Sequence, residues 1–339
     1  MKVLLYTEME KNVRKSGLGK AIEHQKTALT NEGIEWTTDP NDDYDIMHIN
    51  TWFLKSRRMA KKAKKKGKKI VYHAHSTEED YRNGFIFSKA TSKIVKWWLV
   101  KCYGLGDVIV TPTPYSKRLL EGYKGLEHKK IYAISNGIDM SLFQKDKKAG
   151  EEFRKAYGYT KDDKVIIGVG LYIRRKGIVD FVELARRLPE YKFIWFGYSN
   201  PKAATKDVRK AVSTKLPNLT WAGYVEQDMI KKAMCGADLY LFPTLEETEG
   251  IPIIEACACK QNAIIRDIPI FEDWLIDGKN VYKAKDVDEF EKKIKDFFAG
   301  KLPSVVEEAY KVAIERDIKT VGKQLKEVYL EVMKEKEKK

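Results

Sequence analysis

The sequence predicts an α/β protein built from two doubly wound units in tandem. Three observations carry that reading. Short apolar, strand-like runs alternate with longer helical segments from the N-terminus to about residue 266. The alternation restarts after a polar stretch near residue 145. The chain has 339 residues, 43% of them hydrophobic, which suits two α/β domains better than one.

The first unit opens with residues 2–6 (KVLLY), a short buried strand, and the loop Ser16-Gly17-Leu18-Gly19. Residues 20–32 form an amphipathic helix with Ala21, Ile22, Gln25, Ala28 and Leu29 on one face. Residues 44–49, 69–73, 107–112 and 130–134 supply four more strands, with helical segments between them. The polar run 144–150 reads as the linker. Strands at 164–169, 192–197, 219–221 and 239–242 then alternate with helices at 177–187 and 228–235. A helix at 251–258 and a strand at 262–266 complete the pattern. Residues 304–335 are helical by composition. The expected domains are 1–143 and 151–311, with a C-terminal helix of about 312–339 packing back on the first. Ligands in such sheets bind beyond the carboxyl ends of the strands, so two facing units imply a cleft between them.

Composition narrows the function. No run of about eighteen apolar residues exists, so no spanning segment is expected. The N-terminus is too short and too soon polar to read as a signal peptide. The four cysteines lie in apolar contexts and read as reduced, buried thiols of a cytoplasmic protein. The net charge is +15, with a basic surplus of ten in residues 1–143 and five in the rest. Such a field attracts nucleic acid, anionic lipid or phosphorylated substrates. No nucleic-acid motif accompanies the charge, so no nucleic-acid partner is expected.

Three motifs carry candidate chemistry, and two further stretches suit a membrane surface. In residues 246–255 (EETEGIPIIE), Glu247 lies in a loop and Glu255 one turn into a helix. Gly250 permits close backbone approach, and the helix opening at Gly250 and Ile251 offers free N–H groups to phosphate. Read without context, the same residues also suit an acidic helix start complementing the helix dipole. Residues 168–177 (GVGLYIRRKG) place three cations at a glycine-rich strand end, suited to a diphosphate or merely to a solvated turn. His73-Ala74-His75 ends a strand; no third ligand stands nearby, so the pair is not read as a metal site. Asp43-Tyr44-Asp45 is ordinary sequence before a strand, and no metal or cofactor is expected. From 55 to 69, ten of fifteen residues are Lys or Arg, including Lys61, Lys62 and Lys65. Farther on, Phe85-Ile86-Phe87 and the run 93–101, with Trp97 and Trp98, mix aromatics and cations. These stretches suit a lipid interface, against a solvated helix for the lysines and core packing for the tryptophans.

The segment 246–255 resembles the E-x7-E motif of the family-4 retaining glycosyltransferases, which adopt the GT-B fold. Gly223-Tyr224-Val225, residues 234–242, Pro243-Thr244 and Gly250-Ile251-Pro252 run in the order those enzymes use. The resemblance covers almost the whole chain. It implies that Glu247 meets the donor sugar, Gly250 and Ile251 the diphosphate, and Glu255 the ribose. It also implies that Lys176 and either Arg174 or Arg175 meet the diphosphate, because Leu171 stands where the family has its arginine. His75 aligns with a histidine beside the donor sugar, and Gly17 and Gly19 with an N-terminal loop approaching the donor. Glu249 departs from the usual aromatic before the glycine, which alters the sugar pocket. The N-terminal third resembles the diglycosyl-diacylglycerol synthases, the second glycosyltransferases of glycolipid and lipoteichoic acid anchor synthesis. The implied activity moves glucose or galactose from a UDP-sugar to a glycolipid acceptor such as monoglucosyl-diacylglycerol. It would run on an anionic membrane surface, peripheral to the inner face of the plasma membrane. A polyprenyl-linked or cell-envelope polysaccharide acceptor is the alternative.

Overall fold

The computed structural model describes residues 1–13, 16–82, 88–201 and 204–337. Phe85-Ile86-Phe87 lies outside them. The chain forms two compact units. One comprises residues up to Tyr81, Ala90–Asp139 and the C-terminal stretch from Arg316; the other is chiefly Met140–Glu315.

The first unit runs β1 (Lys2–Tyr6), α1 (Glu10–Val13), α2 (Gly17–Asn31), β2 (Glu35–Thr37), β3 (Ile46–Ile49), α3 (Leu54–Lys65), β4 (Lys69–His73) and α4 (Glu78–Arg82). It continues with α5 (Ser88–Tyr103), β5 (Val108–Thr111), α6 (Pro114–Glu121) and β6 (Lys130–Ala133). Its sheet is all parallel, in the order β2-β1-β3-β4-β5-β6. Strand residues alternate between two cores, as a sheet covered on both faces requires. Leu4, Met47, Ile70, Tyr72 and Ile109 pack with Ala60, Ala63, Leu99 and Leu120 of α3, α5 and α6. Val3, Leu5, Ile46, Val71 and Val108 pack with Leu29 of α2 and with Val321, Leu325, Val328 and Tyr329 near the C-terminus.

The second unit runs α7 (Lys147–Tyr157), β7 (Val165–Val169), α8 (Ile178–Arg187), β8 (Lys192–Phe196), α9 (Lys206–Val212), β9 (Leu219–Gly223) and α10 (Gln227–Gly236). Then follow β10 (Leu239–Phe242), α11 (Ile251–Ala258), β11 (Ala263–Arg266), β12 (Tyr282–Ala284), α12 (Val287–Phe298) and α13 (Val306–Glu315). The parallel order is β12-β11-β10-β7-β8-β9. Successive strands move one way from β7 and the other way from β10. The loops after β7 and β10 therefore lie side by side where the order reverses, the place where open α/β sheets bind ligands.

Two readings change. The run 144–150 is not a bare linker: Asp146 accepts the Ala149 amide at 3.0 Å and caps α7 inside it. The C-terminal stretch is two helices, α13 and α14 (Ile318–Glu337). They are parted where Ile138 donates to the Arg316 carbonyl and Ile318 donates to the Ile138 carbonyl.

Candidate functional site

In the second unit, sequence and sheet order bring the glutamate and cation motifs together. Gly177, at φ +72°, ends a short turn of Arg174–Lys176 after β7. A Cβ there would fall 2.0 Å from the Pro243 carbonyl oxygen, so only glycine lets this loop touch the β10 loop. Hydrogen bonds then lace the two loops. Leu245 N donates to the Arg175 carbonyl at 2.7 Å and Thr244 Oγ1 to the same oxygen at 3.0 Å. Arg175 returns a bond to the Glu246 carbonyl at 3.0 Å.

Glu247 sits at this junction and is 8% exposed. It pairs with Lys176 Nζ, lies 3.6 Å from an Arg175 guanidinium nitrogen, and accepts from Thr244 Oγ1 at 3.2 Å. Burial opposes its ionisation, but the Lys176 and Arg175 charges outweigh burial and hold the carboxyl below the usual carboxylate range. Of the two arginines left open by the sequence, Arg175 lies at Glu247. Arg174 turns outward to Asp207 at 3.3 Å.

Gly250 is the N-cap of α11, at φ +91°, with Phe242 3.0 Å from where its Cβ would stand. Pro252 in the first turn costs nothing there, because its missing N–H would lack a helical partner anyway. α11 begins at Ile251, shortly after Glu247 in the chain, with no side-chain cap on its N-terminus, the positive end of the helix dipole. Glu255 is fully buried on α11, as is Glu249 before the N-cap. The Tyr240 phenol, which the sequence did not single out, is fully buried near Glu255 and Glu247; burial first, then their charges, raises its pKa.

In the first unit, His75 follows β4 and is half-buried. Its Nε2 lies 2.9 Å from Asn50 Oδ1, and Asn136 also hydrogen-bonds the ring. The His73 and His75 rings stack at 3.9 Å. Burial and the neighbouring His48 lower the His75 pKa to about 3, with Asn136 opposing, so the ring is neutral. Gln25, Asn50 and Asn136 were not picked out as site residues; Asn50 and Asn136 meet His75 itself, and Gln25 bonds Asn50 and His73 behind it. Gly19 is buried in α2. Gly17 opens α2, and a Cβ there would meet nothing within 4 Å, so packing inside the unit does not explain its glycine.

On α3, Ala60 and Ala63 are buried, while Lys61, Lys62 and Lys65 face outward. The two tryptophans of α5 part company. Trp98 donates to the Trp52 carbonyl at 2.7 Å and stacks beneath Arg57, whereas Trp97 is 58% exposed. Ile94, Trp97, Lys93 and Lys101 share that outer side of α5. Among the described residues, no helix is long and apolar enough to cross a membrane.

Comparison with known proteins identifies the family and the fold. Residues 150–316 match the family described as glycosyl transferases group 1, and residues 34–142 match glycosyltransferase family 4. The chain is 41% identical to a processive diacylglycerol alpha-glucosyltransferase of Acholeplasma laidlawii, over 98% of this chain and 99% of that one. It is 23% identical to an alpha-galactosylglucosyldiacylglycerol synthase of Streptococcus pneumoniae, over 67% of this chain and 62% of that one. The fold matches that of HepE from Anabaena, solved with UDP and glucose, at a TM-score of 0.79 and 17% identity. That match covers 97% of this chain and 99% of that one.

Proposed function

The chain belongs to the family-4 glycosyltransferases of GT-B fold, and from that premise we propose that it moves glucose from UDP-glucose to a diacylglycerol-based membrane lipid, with retention of the α configuration. The observation that carries the reading is end-to-end similarity to a diacylglycerol glucosyltransferase, joined to the paired loops around Glu247. The enzyme is a hexosyltransferase.

Each residue has a role in this reading. The α11 N-terminal amides, with Lys176 and Arg175, stabilise the charge on the departing diphosphate. Glu247 binds the sugar hydroxyls and holds those cations in place. Glu255 accepts from the ribose diol, for which a carboxylate has the right pair of acceptors. Gly17 and Gly19 let the α2 loop approach the donor. His75, neutral, meets a sugar hydroxyl. Retention follows if the acceptor hydroxyl attacks the face the diphosphate leaves. The outward lysines of α3 and the exposed side of α5 dock the enzyme on anionic lipid at the cytoplasmic face.

A donor panel tests the proposal. UDP-glucose, UDP-galactose and GDP-mannose are each supplied with vesicles containing or lacking diacylglycerol, and released nucleotide is measured. UDP release that needs both UDP-glucose and diacylglycerol supports it. Preference for UDP-galactose or a GDP-sugar, or release indifferent to the lipid, overturns it.

A further inference from the structure

Behind His75 runs a continuous buried chain of polar side chains that ends on the last helix. Tyr329 of α14 is fully buried, and its hydroxyl meets His48 Nδ1 at 2.5 Å. His48 Nε2 lies 3.0 Å from His73 Nδ1, and the same His73 nitrogen lies 2.9 Å from Gln25 Nε2. Gln25 and Asn50 bond each other reciprocally through both amide groups at 2.9 Å. Asn50 Oδ1 then meets His75 Nε2. Burial holds His48 and His75 at pKa values of about 3 and keeps His73 well below the usual histidine range, so no ring carries a charge at neutral pH.

We propose that Tyr329, His48, His73, Gln25 and Asn50 form a positioning relay that fixes the ring orientation and the tautomer of His75 from the C-terminal helix. The proposal rests on the reading of His75 as a group that meets the donor sugar. Donor and acceptor rules make it concrete. An amide oxygen only accepts and an amide nitrogen only donates. With Asn50 Oδ1 toward His75, the His75 Nε2 must carry the proton. With Gln25 Nε2 toward His73, the His73 Nδ1 must be a lone pair. His48 Nε2 then donates to it, and Tyr329 donates to His48 Nδ1. Reversing the paired amides would turn the Gln25 oxygen to His73 Nδ1 and ask that nitrogen's single proton to serve both Gln25 and His48 Nε2. The network therefore satisfies all of these contacts in one arrangement, in which His75 is the neutral tautomer protonated at Nε2. A neutral imidazole presents a donor at one nitrogen and an acceptor at the other, so a wrong tautomer faces a substrate hydroxyl with the wrong polarity. The cooperativity of such a buried chain explains why a residue some 250 positions after His75 in sequence bears on it.

The test uses the full-length enzyme with Tyr329→Phe, which removes one oxygen, and Gln25→Met, which removes the amide at similar volume. The imidazole nitrogens of His75 are read by ¹⁵N NMR, and kinetics are measured with UDP-glucose and diacylglycerol vesicles. In the unaltered enzyme the His75 ring shows a single neutral tautomer at neutral pH. Either variant that retains its melting transition shows a changed or mixed tautomer, a kcat lower by about tenfold or more, and a nearly unchanged donor KM. Wild-type His75 nitrogen signals and wild-type kcat in both variants overturn the relay. His75→Gln separates this from the underlying reading. Full activity in that variant, with the His75 ring still responding to Tyr329→Phe, removes the role of His75 in turnover while the relay stands as structure.

Discussion

In the proposed reaction Glu247 and Glu255 act at different points, and their different surroundings predict effects on different kinetic constants. Glu247 pairs with Lys176 and lies beside Arg175 between the β7 and β10 loops, where the proposed reaction develops leaving-group charge. Its contribution is therefore realised mainly in the transition state. Glu247→Gln keeps the volume and a partner for Thr244, and removes the charge. We predict that kcat falls on the order of 100-fold with a smaller change in donor KM. Glu255 is buried on α11, and in the proposed role it binds the ribose in both ground and transition states. Glu255→Gln should raise donor KM about tenfold, the cost of weakening one or two charge-assisted hydrogen bonds, and leave kcat near its original value. Steady-state kinetics on folded variants check both, and equal effects on both constants would reject the division of labour. These two glutamates, Lys176 and Gly250 were legible in the sequence because one short motif and one loop contain them. Thr244 and Arg175 were harder to single out, since their roles come from the contact between two loops about 70 residues apart. Asn50 gave no sequence signal, and Gln25 stood out only as an amide on an otherwise apolar helix face. An amide on an amphipathic helix face looks like any other polar residue until the fold buries it.

At the scale of elements, α3 and α5 carry the membrane part of the account. Small residues of α3 pack inward, so its lysines cannot find burial and remain a cationic stripe. Each cation near an anionic surface contributes on the order of 1 kcal/mol, and salt screens it over about 8 Å at physiological ionic strength. Replacing Lys61, Lys62, Lys64, Lys65 and Lys66 with Gln should release the protein from anionic liposomes in flotation assays. Turnover of a detergent-dispersed acceptor should persist. Trp97→Ala should weaken liposome binding at high salt as well, because Trp97 is exposed. Trp98→Ala should instead lower the melting temperature, because that indole is hydrogen-bonded to Trp52. Unchanged flotation of the glutamine variant at low salt would remove α3 from the docking surface. The strands were legible almost to the residue, since buried parallel strands read as short apolar runs bounded by turns. The helix α7 was not. Its first turn reads as a polar linker, and the cap at Asp146 outweighs that composition. The edge strands β2 and β12 are three residues each, too short for any periodicity to register.

The whole molecule is two parallel six-stranded sheets, and in the second the candidate donor residues lie where the strand order reverses. The restart of the strand and helix alternation made the two units legible in advance. The contact of Tyr329 of α14 with His48 was not, because placing the last helix on the first unit does not say which strand residue it meets. Family membership and fold leave the sugar, the acceptor and the stereochemistry as the claims to be measured. All three are read from one product. The enzyme is incubated with UDP-glucose and diacylglycerol vesicles, the lipid fraction is extracted, and its mass and anomeric proton coupling are determined by mass spectrometry and NMR. The expected product is a glucosyl-diacylglycerol whose glycosidic bond is α. A β-linked product, or glucose recovered only in water-soluble form, would contradict it.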